Sequence, residues 1–128
     1  MIRRLVPIVL AITLVSCEGN TDRVRLVSNL SSTEIALQAV ADWHPEIGLS
    51  VAPGATEEIF MSSQLGGSDS VIHPYDQIDT LIIINSLGDT CQIDYADSTQ
   101  WEIHVEERSK IPADWLHEYT IVVMDEDF

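Results

Sequence analysis

Few side chains in this sequence could act as nucleophiles or hold a metal: two cysteines, Cys17 and Cys91, and four histidines, His44, His73, His104 and His117. The histidines are scattered, without the paired spacing that holds zinc. Cys91 lies in the alternating run Thr90, Cys91, Gln92, Ile93, Asp94, Tyr95, on one face with Ile93 and Tyr95. No local histidine or cation is present to lower its pKa, so it reads as a buried, inert thiol. Carboxylates are abundant, 21 in all; at that number some pair always has the spacing for acid and base work, and none stands out. Asp69, Asp76 and Asp79 offer oxygen ligands for calcium but lack EF-hand-like spacing. There is no Gly-rich phosphate loop, no nucleophile elbow around a serine and no thiol pair. No catalytic residue, cofactor or metal is therefore expected. Trp43, Trp101 and Trp115 either close the core or form a binding surface, and Trp43 beside His44 and Pro45 could serve as an interaction anchor.

The other thiol, Cys17, follows a recognisable segment. Arg3 and Arg4 precede the apolar run from Leu5 to Val15, which is the charged and apolar order of an export signal. That run has eleven residues and contains Pro7, whereas a membrane-spanning helix needs about 20. Its end, Leu14, Val15, Ser16, Cys17, resembles the lipobox of bacterial lipoproteins, with a branched apolar residue three before the cut, a small one just before it, then cysteine. The resemblance implies that the Cys17 sulfur takes a diacylglyceryl group, that cleavage follows Ser16, and that the new amino terminus is acylated, for instance with palmitate. Each buried methylene adds about 0.8 kcal/mol of membrane affinity, so several long chains anchor a protein stably. The expected organisation is a signal helix over 1–16, a lipidated tether over 17–22, and one domain over 23–128.

Residues 1–16 hold two arginines and no acid, so their removal takes the net charge from −15 to −17. Such a field repels phosphate backbones, and nucleic acid is not expected as a partner. Cationic proteins suit it better, although charge of this size also serves simply to keep an exported protein soluble. With Cys17 lipidated, Cys91 has no disulfide partner, and the core must hold the fold unaided.

The mature sequence reads as strands. Val24 to Ser28 and Glu34 to Ala41 flank a polar cluster, with Ile35, Leu37 and Ala39 on one face, which suggests a hairpin. Leu49 to Ala52 and Glu57 to Ser62 flank Pro53 and Gly54, residues suited to a type II turn and a second hairpin. Gln64 to Tyr75 has the composition of a long exposed loop. Leu81 to Ile84 reads as a strand covered on both faces, paired with Thr90 to Tyr95 at the centre of the sheet system. Trp101, Ile103 and Val105 alternate as a strand, although Trp101 and Val105 would also share a helix face. Tyr119, Ile121 and Val123 form a last strand. Short runs rich in Val, Ile and Thr, without a convincing amphipathic helix, predict an all-β domain: an antiparallel β-sandwich of about six to eight strands, with a barrel as the alternative.

Beyond the lipobox, the chain resembles small lipoproteins of Bacteroidota-type bacteria that carry a compact β-sandwich. The residues concerned are Asn29 with Ser31 and Ser32 before a strand, the Ala52, Pro53, Gly54 turn, Asp79 leading into Leu81 to Ile84, and the ending from Tyr119 and Thr120 to Asp125, Glu126, Asp127 and Phe128. The resemblance implies no catalytic residue. It implies attachment to the outer membrane or cell surface, with the periplasmic face as the alternative. It also implies O-glycan attachment at Asp followed by Ser or Thr and an apolar residue, a pattern met by Asp69, Ser70, Val71 and by Asp79, Thr80, Leu81. The expected function is that of a non-enzymatic binding or structural module of the cell envelope, with a protein or glycan partner. The alternatives are an acidic inhibitor of a cationic enzyme such as lysozyme, and a carbohydrate-binding accessory module that stacks tryptophan on sugar rings.

Overall fold

A computed structural model describes residues 19–128. The chain forms seven strands: β1 (Asn20–Asn29), β2 (Ile35–Ala41), β3 (Ile47–Val51), β4 (Thr56–Leu65), β5 (Ile78–Asn85), β6 (Trp101–Lys110) and β7 (Ala113–Val123). They make a four-stranded sheet in the order β4-β1-β7-β6 and a three-stranded sheet in the order β3-β2-β5, packed as a sandwich. Two 3-10 turns, Ser98–Gln100 and Asp125–Asp127, are the helical elements among the described residues. None of the described helices is long and apolar enough to cross a membrane.

The core follows from period-two alternation. Ile35, Leu37 and Ala39 of β2 and Tyr119, Ile121 and Val123 of β7 are all buried, as their spacing predicts. They meet Val27, Val51, Ile59, Phe60, Leu81, Ile83 and Trp101 between the sheets. Cys91 is buried against this core as a free thiol. Of the tryptophans, Trp101 is core, Trp115 is half-buried and Trp43 is fully exposed.

Several local expectations are corrected. β1 begins at Asn20, so three residues read as tether are strand. The two expected hairpins are crossovers: β1 and β2 lie in different sheets, as do β3 and β4. The Pro53–Gly54 turn does form, with Gly54 at φ +80° and Ala55 N–H bonded to the Ala52 carbonyl at 3.0 Å, but it carries the chain from one sheet to the other. β5 is an edge strand whose Ile82 and Ile84 face solvent, not a strand covered on both faces. Thr90 to Tyr95 forms no strand: it is tied to β5 by a bridge between Ile84 and Thr90 and by Cys91 N–H to the Ile83 carbonyl at 2.8 Å. The sandwich also is not wholly antiparallel, because β1 and β7 pair in parallel at the middle of the larger sheet.

Successive strands reverse direction throughout, so the loops sort into two groups. The start of β1 shares one end of the sandwich, the entry end, with the β2–β3, β4–β5 and β6–β7 connections. The far end holds the β1–β2, β3–β4 and β5–β6 connections and the C-terminus.

Candidate functional site

The four-stranded sheet is built from strands of ten and eleven residues, the smaller sheet from strands of five to eight. At the entry end the larger sheet therefore outruns its partner, and the β4–β5 loop, residues 66–77, fills the gap. The side chains that face inward beneath this loop are polar. On β1 they are Thr21, Arg23 and Arg25, and on β7 His117; all four are buried.

These residues hold the loop by its backbone. Thr21 donates its hydroxyl to the Gly66 carbonyl at 2.7 Å and accepts the Ser68 N–H at 2.9 Å. His117 Nε2 donates to the Ser68 carbonyl at 2.7 Å, which leaves Nδ1 to accept the Tyr119 hydroxyl at 3.3 Å. Arg23 bonds the Gln64 side-chain oxygen and, at 3.2 Å, the Ser70 carbonyl. Arg25 donates to the carbonyls of Pro74 and Asp76, each at 3.3 Å, and to Ser62 Oγ at 3.0 Å. Its guanidinium lies 4.7 Å from the Phe60 ring centroid and 5.3 Å from that of Tyr119, so two aromatic faces replace part of its hydration. Burial pulls the Arg25 pKa below its ordinary value, with Tyr119 opposing, Arg23 acting in the same direction and Asp76 opposing.

Among the described residues, neither buried arginine has a carboxylate partner. The ion pairs among the described residues belong to Arg108, which bridges Asp22 and Asp114 at 2.8 Å each on the outer face of the sheet. Hydrogen bonds from Ser63 first, and then from Arg108, hold the Asp22 carboxyl below its ordinary value. Beside Arg23 opens a cavity of about 460 Å³ lined by Ser62, Ser63, Gln64, Ile72, Asp76 and Gln77. Arg23 Nε is buried there without a hydrogen-bond partner. The lining offers hydroxyl, amide and guanidinium groups, suited to holding a polar group in place.

Sequence reasoning missed this inward arginine pair. In the run Arg23, Val24, Arg25, Leu26, alternation alone would put Val24 and Leu26 inside, yet the structure turns them to the half-exposed outer face. The signal that could have found it is Val27 and Asn29, which continue the arginine phase and are fully buried.

The residues singled out in the sequence fall at different places. Cys17 lies outside the described residues. Ser70 sits exposed in the β4–β5 loop, and Thr80 is exposed on β5. His44, His73 and His104 are exposed on three separate segments, the β2–β3 connection, the β4–β5 loop and β6. Asp69, Asp76 and Asp79 are not gathered: no group of three or more His, Cys, Asp or Glu among the described residues is placed to hold an ion.

No protein-family model matches the chain, and it has no match among curated proteins or solved structures.

Proposed function

We propose that this protein is an exported, lipid-anchored and non-enzymatic binding module of the cell envelope, tethered through Cys17 and offering its far end to a cationic partner. One observation carries this reading: lysine and arginine are confined to one end of the sandwich, while acidic residues occur at both. The far-end segments, residues 30–34, 52–55, 86–100 and 124–128, contain Glu34, Asp89, Asp94, Asp97, Asp125, Glu126 and Asp127 and no lysine, arginine or histidine. The arginines and the lysine of the described chain, Arg23, Arg25, Arg108 and Lys110, lie toward the end where the chain enters, and His73 of the β4–β5 loop is the charge partner that reaches Asp97. A domain anchored at its entry end therefore directs an acidic surface without lysine or arginine away from its support. Such a field speeds association with a basic protein and loses that advantage in salt.

The resemblance to Bacteroidota-type lipoproteins supports outer-membrane or surface attachment, and exposure of Ser70 and Thr80 is compatible with O-glycan attachment at either. A second reading, a sugar-binding accessory module, is favoured by Trp43. Its ring is fully exposed at the β2–β3 turn on a backbone of φ 60°, a left-handed conformation costly for a bulky side chain.

Both readings are tested together by crosslinked co-purification from native membranes, using wild type and Cys17→Ala. Capture of a basic protein by the wild type alone, weakened by salt and by Asp125→Asn/Glu126→Gln/Asp127→Asn, is expected. Capture that ignores salt and these substitutions but is lost in Trp43→Ala would select the sugar-binding reading.

A further inference from the structure

We infer that the entry end is a lipid-docking surface, on which Leu65 and Ile111 sit in the headgroup region of the membrane that carries the anchor. This rests on the reading of Cys17 as the lipidated residue and extends it to the orientation of the whole domain. β1 starts at Asn20, three residues after Cys17. Three residues reach at most about 10 Å, so a thioether-linked lipid at Cys17 brings the first residue of the sheet to the membrane surface.

The fold then fixes which side chains are nearest. Asn20 is paired with Leu65 on β4 and with Asp114 on β7. Gly66 N–H bonds the Gly19 carbonyl at 3.2 Å. On the other flank Gly19, at φ +73°, packs so closely against Ala113 that a Cβ there would stand 2.7 Å from the Ala113 carbonyl carbon. The chain thus enters between the end of β4 and the β6–β7 turn, and each presents a large apolar side chain to solvent: Leu65 is 80% exposed and Ile111 is 87% exposed. Neither packs on the core.

One cation beside them suits the same occupant. Lys110 adjoins Ile111 and can meet lipid phosphate while its stem lies along the interface. Asp22 and Asp114, the carboxylates on the strand ends beside the entry point, are both engaged by Arg108, while Glu106 and Glu107 of β6 and Asp69 of the β4–β5 loop stay exposed at this end. The far end has exposed apolar residues too, Leu87 at 78%, Leu30 at 56% and Met124 at 40%, but they stand among carboxylates with no lysine or arginine in the neighbouring loops. An apolar pair beside a lysine, at the point of anchorage, is the arrangement by which interfacial segments bury side chains about 5–10 Å into the headgroup boundary.

The test uses the full-length lipidated protein in vesicles made from lipids of its own membrane. Ile111→Cys, Leu65→Cys and, as the control, Leu87→Cys are each labelled with an environment-sensitive fluorophore. Cys91 is buried and Cys17 carries lipid, so wild type sets the labelling background. Nitroxide lipids in the bilayer are expected to quench the labels at 111 and 65 several-fold more than the label at 87, with blue-shifted emission at the first two. Equal quenching at the three sites, or strongest quenching at 87, overturns the docking. Palmitate incorporation and membrane retention, each compared with Cys17→Ala, are measured on the same samples. Protein that incorporates palmitate yet shows no difference among the labels defeats the docking alone; protein that incorporates none defeats the anchor.

Discussion

Asn29 at the end of β1 donates its side-chain amide to the Val51 carbonyl of β3 at 2.9 Å, joining one sheet to the other at the far end of the sandwich. The same amide donates to the Thr33 carbonyl at 2.9 Å, and its oxygen accepts the Ser31 N–H at 2.9 Å and hydroxyl at 2.6 Å. The Asn29 backbone carbonyl receives the Gly54 N–H at 2.6 Å. One fully buried residue, through its side chain and its backbone, thus bonds both crossovers, and Asn29, Ser31, Pro53 and Gly54 belong to a single junction. Asn29→Ala would leave the Val51 carbonyl and the Ser31 N–H unpaired in the interior, while the Thr33 carbonyl keeps the Ser31 hydroxyl at 3.0 Å. A loss of about 2–4 kcal/mol is expected, at 1–3 kcal/mol per buried orphan with partial relief by water. Chemical denaturation measures it, and a loss under about 1 kcal/mol would show that the junction holds by packing alone.

Arg25 has a different consequence, because the atoms it satisfies are loop carbonyls. Arg25→Met keeps most of the apolar contact with Phe60 and Tyr119 and removes the buried charge, so global stability should change by no more than about 1 kcal/mol in either direction. The carbonyls of Pro74 and Asp76 lose their donor. Cleavage by a protease between residues 66 and 77 should therefore accelerate while the strands stay protected, a local opening rather than global unfolding. Unchanged loop cleavage would assign the hold on the loop to Thr21, Arg23 and His117.

Acid should weaken the outer clamp. The Asp22 pKa lies below its ordinary 3.8 in the folded chain, chiefly through Ser63 and then Arg108. A lowered folded value means that the unfolded chain takes up the proton first. The stabilisation is complete above the ordinary value and disappears as pH falls through the folded one. Melting temperature should therefore fall below about pH 4, and Asp22→Asn should flatten that part of the profile. Asp125 contributes in the same sense, held low by the Ser32 N–H and hydroxyl. A wild-type profile that is level from pH 5 to pH 2.5 would remove the clamp from the account.

How much of this was readable in the sequence depends on where each residue's partners lie. β2 and β7 were legible, because Ile35, Leu37, Ala39 and Tyr119, Ile121, Val123 alternate against a core that covers one face only. The inward phase of β1 was not, because Arg23 and Arg25 are accepted by carbonyls more than 40 residues further along the chain. Pro53 and Gly54 announced a reversal but carried no information on whether the flanking strands would pair. That was decided by Asn29, which ties the turn to the opposite sheet. Leu81 to Ile84 read as doubly covered because four apolar residues in a row are compatible with two covered faces. The strand lies at an edge, and Ile82 and Ile84 are left on the outer surface.

Gly67 gives the most local of the predictions. It packs beside Ala113 at the entry end, where an added Cβ would stand 2.5 Å from the Ala113 carbonyl oxygen and 2.7 Å from its carbonyl carbon. Because the obstruction is partly backbone, the loop must move to admit even a methyl group, at a cost of about 1–3 kcal/mol for Gly67→Ala. Ala113→Gly removes the side-chain part of the clash and leaves the carbonyl in place. The double variant should therefore recover part of the loss, with a coupling of at least about 0.5 kcal/mol in a double-mutant cycle. Gly54 is the control for a glycine whose conformation, rather than its space, matters. No atom lies within 4 Å of a Cβ there, yet its φ is +80°. Gly54→Ala should cost about 1 kcal/mol from backbone strain, with no coupling to Ala113→Gly. Additive behaviour of Gly67→Ala with Ala113→Gly would contradict the close contact that seats the loop beside the point of chain entry.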